Sequence, residues 1–196
     1  MNMKKKLYML RHGQTRFNQN KMIQGWCDAP LTEKGKAQAR IARNWFEQNH
    51  ITFDKIICST SERCSDTLEL VTAQPYERTH ALKEMDFGDF EGQPERLIPP
   101  MHLFPTYFAA FGGETMKQVE ERVVQKIRKV MEQEYQSILC VTHGGVIRTF
   151  YAWATGDTRI DGTECDNCAV YEYDYDPDTK TFSFIRAVNH DFSSLE

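Results

Sequence analysis

The sequence predicts an α/β fold, a three-layer α/β/α sandwich built around a mostly parallel central sheet. Two observations predict it. Short apolar runs recur at residues 5–10, 53–58 and 137–142, each too brief for a helix. Each is followed by a stretch whose apolar residues return at helical spacing. Strands covered on both faces read as unbroken apolar runs, and strand–helix alternation brings parallel pairing.

The elements follow in order. Residues 5–10 form a strand that runs into Arg11-His12-Gly13. Thr32 is an N-cap for a helix in which Ala37, Ile41, Ala42, Trp45 and Phe46 share a face. Ile56 and Ile57 centre the second strand, and Ser61 caps a helix through Leu68 and Val71. From Glu84 to Gly113 the chain is rich in Gly, Pro and aromatic residues and fits no period, so a lid is expected over about 85–113. A strongly amphipathic helix follows, with Met116, Val119, Val123, Ile127, Val130 and Met131 on one side. The third strand ends at His143-Gly144-Gly145, and another helix runs to about Thr155. Alternation over 169–175, with 181–188, predicts a terminal hairpin or a pair of edge strands. With no repeat, low-complexity tract or linker, residues 1–196 read as one domain.

Composition bounds the function. A chain of 196 residues, 40% hydrophobic and 27% charged, can bury one substantial core. No run approaches the roughly 18 apolar residues of a membrane helix. The apolar residues at 7–10 are too few for a secretory leader, which needs about 7 to 15. The six cysteines therefore read as reduced thiols and the expected location is the cytoplasm. A net charge of −4 argues against general nucleic-acid binding, yet a local cation cluster can still hold a small anion. No membrane partner is expected, and a homodimer stays open.

In parallel sheets, ligands gather at the carboxyl ends of strands. Three such ends here carry unusual polar groups: Arg11-His12-Gly13, the stretch 59–63 with Arg63, and Thr142-His143-Gly144. Two guanidiniums and two imidazoles suit a phosphate, because guanidinium matches its oxygens in pairs while imidazole can donate or attack. A neutral histidine beside fixed cations is a competent nucleophile. Hydrolysis further requires an acid for the leaving alcohol and a base for water. Glu84 is the favoured candidate, with Asp86, Asp89 and Glu91 as competitors.

Taken together, these residues resemble the histidine phosphatase superfamily. The resemblance is carried by Arg11-His12-Gly13-Gln14-Thr15 with Asn18, by Gln24-Gly25, and by Pro30-Leu31-Thr32 with Gly35 and Gln38-Ala39. Ser59 with Arg63, Glu84 with Gly88 and Glu91-Gly92, and Thr142-His143-Gly144-Gly145 complete it. The resemblance implies a phosphoglycerate mutase-like fold and a phosphoryl group carried on His12. It further implies that Arg11, Arg63 and His143 clamp the phosphoryl oxygens, with lesser contacts from Asn18 and Gly144. Gln24 and Gly25 would stand at the pocket wall, Glu84 would act as acid and then base, and no metal or other cofactor is implied. One departure is the carboxylate of Asp66, which should face away from the pocket.

Two branches share such a site. Phosphoglycerate mutases of this superfamily resemble the chain in its core, but are usually longer and carry added basic residues after the acidic one. Between Met85 and Gly113 this chain has Arg96, His102 and no lysine. A phosphatase acting on a small phosphomonoester is therefore favoured over a mutase, and over a non-catalytic relative that only binds phosphoesters. The apolar lid residues (Leu97, Ile98, Met101, Leu103, Phe104, Tyr107, Phe108 and Phe111) have two readings: contact with an apolar part of the substrate, or a roof on the core. His50, His80, His102 and His190 read as surface residues. Cys165 and Cys168 form a lone C-x-x-C without the further ligands of a zinc site, and Cys58 and Cys140 read as core filler. Glu114 reads as a first-turn acid.

Overall fold

The computed structural model describes residues 3–100, 102–157 and 165–195. Its elements are β1 (Lys5–Arg11), α1 (Arg16–Gln19), α2 (Glu33–Gln48), β2 (Lys55–Ser59), α3 (Glu62–Val71) and β3 (Glu77–Thr79), then α4 (Phe104–Tyr107), α5 (Met116–Met131), β4 (Ser137–Thr142), α6 (Gly144–Thr155), β5 (Val170–Asp176) and β6 (Thr181–Val188). Among the described residues the strands form one sheet in the order β3-β2-β4-β1-β5-β6. β3, β2, β4 and β1 pair in parallel, and β5 runs antiparallel to both β1 and β6.

The period of two along β1 builds the two faces. Leu7 and Met9 join Ile57, Ile138 and Cys140 in a core covered by α5 and α6. Tyr8 and Leu10 join Ile56, Cys58, Leu139 and Val141 in a second core covered by α2 and α3. Helices on both faces make the three-layer sandwich, as expected. Thr32 caps α2 through its side chain, which accepts from Gly35 N–H at 3.0 Å. Lys5 is buried at the start of β1, where its ammonium donates to the carbonyl of Met131, the last residue of α5, at 2.8 Å.

Several expectations need correction. β1 reaches one residue further than its apolar run, because Arg11 continues the ladder opposite Thr142. Of the two readings of 169–175 with 181–188, the terminal hairpin is the one formed: β5 and β6 pair antiparallel, β6 takes the sheet edge, and β5 lies between β6 and β1. β3 was not anticipated, since three residues with no buried side chain leave no apolar signal. Ser61 precedes α3 but its hydroxyl makes no cap; Asp28 Oδ2 accepts the Glu62 N–H instead, at 2.5 Å. The lid expected over about 85–113 contains short 3-10 turns and the single helical turn of α4, consistent with its lack of period.

Candidate active site

The carboxyl ends of β2, β4 and β1 lie side by side because these strands are neighbours in the sheet. That adjacency brings together the groups expected at three strand ends. The rings of His12 and His143 stand 5.3 Å apart, centre to centre, at 64°. Both are buried, with exposures of 4% and 0%.

The hydrogen bonds define the state of each ring. His12 Nδ1 lies 2.8 Å from Gly13 O. A carbonyl only accepts, so Nδ1 carries the proton and Nε2 keeps a free lone pair. Burial, then the charges of Arg63 and Arg11, hold His12 well below the usual imidazole range. His143 Nδ1 meets Arg63 Nη2 at 3.0 Å and can only accept there, because guanidinium has no lone pair to offer. His143 Nε2–H then donates to Ser59 Oγ at 2.8 Å. Burial and Arg63 likewise push His143 well below the usual range. Both imidazoles are neutral.

Arg63 is 1% exposed and held on several sides. Its Nη1 donates to Asp28 Oδ1 at 2.9 Å and Cys27 O at 3.0 Å, and its Nη2 to Gly25 O at 2.7 Å. Its sequence neighbour Glu62 pairs with Arg78 instead. Gly25 thus serves through its carbonyl. Its φ of +54° suits glycine, and an added Cβ would sit 2.2 Å from Glu91 Oε1. Arg11 donates to Cys165 O, which gives the C-x-x-C segment a structural task. Gly144 lies against Arg11, whose Nε would be 3.3 Å from an added Cβ.

Gln24 is buried and its Oε1 accepts from the Thr15 hydroxyl at 2.9 Å. Asn18 closes a capping box with Thr15, and its Oδ1 also accepts from Asn167 Nδ2 at 3.3 Å. Among the described residues, three buried N–H groups of this site lack partners: Arg11 Nε, Arg63 Nε and Gln24 Nε2. An unpaired buried donor typically costs about 1–3 kcal/mol. Donors left in this condition on residues of one site suit an anion that supplies the missing acceptors.

Glu84 stands at the start of α6. Its Oε2 accepts the Gly145 N–H at 3.0 Å and its Oε1 accepts the Met85 N–H at 2.9 Å. Two of the competing carboxylates, Glu91 and Asp86, have other tasks. Glu91 accepts from Trp26 N and Cys27 N at 2.5 Å each, which ties the 24–28 loop to the lid. Asp86 Oδ1 accepts from Gly88 N at 2.8 Å. Asp66 is exposed. Burial and the neighbouring Glu91 push the Cys27 thiol up to about 11, so it offers no thiolate at neutral pH.

Sequence reasoning missed Asp28, Asn167, Arg122 and Trp26, which act by side-chain reach between segments far apart in the chain. Glu114 is not a first-turn acid: it precedes the N-cap Thr115 and pairs with Arg122 at 2.8 Å. His190 is half-buried rather than a surface residue, because its ring packs near Trp45 and Phe192. His80 is exposed but its ring meets Trp26 at 4.6 Å. In the lid, Phe87, Phe90, Phe104, Tyr107, Phe108 and Phe111 pack edge-on or tilted against one another. Phe108 is fully buried in the core beneath α5 and Phe87, Phe90, Phe104 and Tyr107 pack against that core, so the roof reading describes these five rings; Leu97, Ile98, Leu103 and Phe111 are exposed, and Met101 lies outside the described residues.

The chain is similar to known phosphatases and to a phosphoglycerate mutase. An Escherichia coli adenosylcobalamin/alpha-ribazole phosphatase is 30% identical over 168 residues, covering 77% of this chain and 79% of its own. A putative phosphoserine phosphatase of Hydrogenobacter thermophilus is 26% identical, covering 95% and 97%. The crystal structure of a phosphoglycerate mutase from Bacillus anthracis superposes with a TM-score of 0.80 at 25% identity, covering 93% and 92%. The fold is phosphoglycerate mutase-like. Residues 7–187 match the model of the histidine phosphatase superfamily, branch 1, so the chain belongs to that superfamily and with it to the phosphoric monoester hydrolases of the histidine phosphatase type.

Proposed function

We propose that the protein hydrolyses small phosphomonoesters in two transfers through a phosphohistidine on His12. The observation that carries this reading is the bond between His12 Nδ1 and Gly13 O, which leaves Nε2 unprotonated beside His143 and two guanidiniums. In the first step Nε2 attacks phosphorus, a P–N bond forms, and the P–O bond to the alcohol breaks. Glu84 gives the departing oxygen its proton. In the second step Glu84 takes a proton from water, the water oxygen bonds to phosphorus, and the P–N bond breaks to release orthophosphate. Arg11, Arg63, His143, Asn18, Gln24 and Gly144 surround the phosphoryl oxygens, and Gly25 holds Arg63 in place. Fixed donors of this kind favour the charge that develops in the transfer.

Hydrolysis is favoured over mutase chemistry by the lid. Its one arginine, Arg96, is exposed, and its rings are spent on one another rather than on a carboxylate-binding cluster. The test is rapid quenching with a phosphomonoester labelled in the phosphate. An acid-labile, alkali-stable label on the wild type that is absent from His12→Ala supports the reading, as does turnover that persists in excess chelator. Label transfer to 3-phosphoglycerate in preference to water would instead identify a mutase.

A further inference from the structure

We propose that Arg122, backed by Glu114, is a positioning residue for the acid–base step, fixing the main chain that carries Glu84. The inference rests on the reading of Glu84 as the acid. Arg122 projects from α5, an element that contributes nothing else to the site, and all five of its N–H groups are used. Nη1 donates to Ala81 O at 2.9 Å and Lys83 O at 2.7 Å, and Nη2 donates to Glu84 O at 2.9 Å. Nε and Nη2 donate to the two oxygens of Glu114, each at 2.8 Å. Glu114 in turn accepts the Asp86 N–H at 3.0 Å.

The segment so held needs external support. After the 3-10 turn His80–Leu82 the chain passes Glu84 with no helix or strand to fix its backbone. The Arg122–Glu114 pair binds it at residues 81, 83, 84 and 86, on both sides of the carboxyl bearer. Two further contacts converge there. Trp26 Nε1 also donates to Glu84 O, at 2.9 Å, and Thr142 Oγ1 donates to Leu82 O at 2.8 Å. The main chain is thus pinned while the carboxylate is held by Met85 and Gly145 N–H groups. The charge of Arg122 also reaches His143 and adds to the forces that keep that imidazole neutral. Displacing a catalytic group by about 1 Å can cost on the order of 100-fold in rate. A lysine at 122, with three donors and no planar fork, cannot reproduce the pattern.

The test compares Arg122→Ala, Arg122→Lys and Glu84→Gln on p-nitrophenyl phosphate, whose leaving group departs without a proton, and on a simple alkyl phosphate. Glu84→Gln sets the reference by slowing the alkyl ester far more than the aryl ester. Arg122→Ala is expected to lower kcat on the alkyl ester by about 30-fold or more, to change aryl turnover by no more than about threefold, and to leave inhibition by orthophosphate nearly unchanged. Arg122→Lys should recover only part of the loss. Should Arg122→Ala fail to fold, Glu114→Gln supplies the same comparison, because it keeps the shape and removes the charge behind Arg122. Equal loss on both esters, or none, alongside a selective Glu84→Gln would overturn the positioning role alone. Equal loss on both esters in Glu84→Gln itself would remove the acid assignment and this inference with it.

Discussion

Gly145 and Glu84 are in direct contact at the start of α6, where the Gly145 N–H donates to Glu84 Oε2 at 3.0 Å. A Cβ on residue 145 would lie 2.4 Å from Glu84 Oε1, inside any real contact distance. Glycine at this position therefore makes room for the carboxyl as well as binding it. Gly145→Ala is expected to displace the carboxylate while leaving His12 and its partners in place. Turnover of alkyl phosphates should fall by about 100-fold, with a much smaller loss on p-nitrophenyl phosphate. Steady-state kinetics on the two esters, with a melting curve to confirm folding, checks this.

His12→Ala removes the nucleophile. Turnover should drop by a factor of about 1,000 or more for aryl and alkyl esters alike, since no protonation can compensate for the missing bond to phosphorus. Residual activity at a tenth of wild type would contradict the assignment. The same variant should still bind vanadate, because Arg11, Arg63 and His143 remain.

Asp28→Ala releases a guanidinium that is 1% exposed from its carboxylate partner. Removing one member of a buried pair leaves the other charge uncompensated. Asp28 is itself partly exposed, so water screens some of the effect. Arg63 should lose its fixed position. Inhibition by orthophosphate is expected to weaken by about tenfold, measured as an inhibition constant at fixed ionic strength.

The two buried imidazoles make stability depend on pH. Both are held below their unfolded value by burial first and by neighbouring cations second. A histidine with a depressed folded value contributes stability that is present above the unfolded value of about 6.5 and lost as pH falls below it. Each group can contribute a slope of up to about 1.4 kcal/mol per pH unit in that window. The urea midpoint should therefore drop between pH 7 and pH 5. His12→Ala should flatten part of that fall, and an unchanged slope would show that His12 is not held neutral by the fold.

The sequence by itself determined the layers, the strand ends and the groups upon them. Short unbroken apolar runs and apolar repeats of period 3.6 are local properties, and β1, β4, α2 and α5 lie close to where those patterns put them. His12, Arg63, Glu84 and His143 were legible as well, because each sits at the end of a local pattern or in an ordered block of motifs. Local pattern could not reveal the position of β5 beside β1, or β3, whose three residues bury nothing. Only the tertiary structure decided which proton each imidazole keeps, that Asp28 holds Arg63, and that Arg122 reaches from α5 to the segment bearing Glu84. The bonds of His143, Arg63 and Arg122 join groups tens of residues apart, and the bond of His12 to the neighbouring Gly13 O depends on backbone conformation at the strand end; neither kind leaves a periodic trace along the chain.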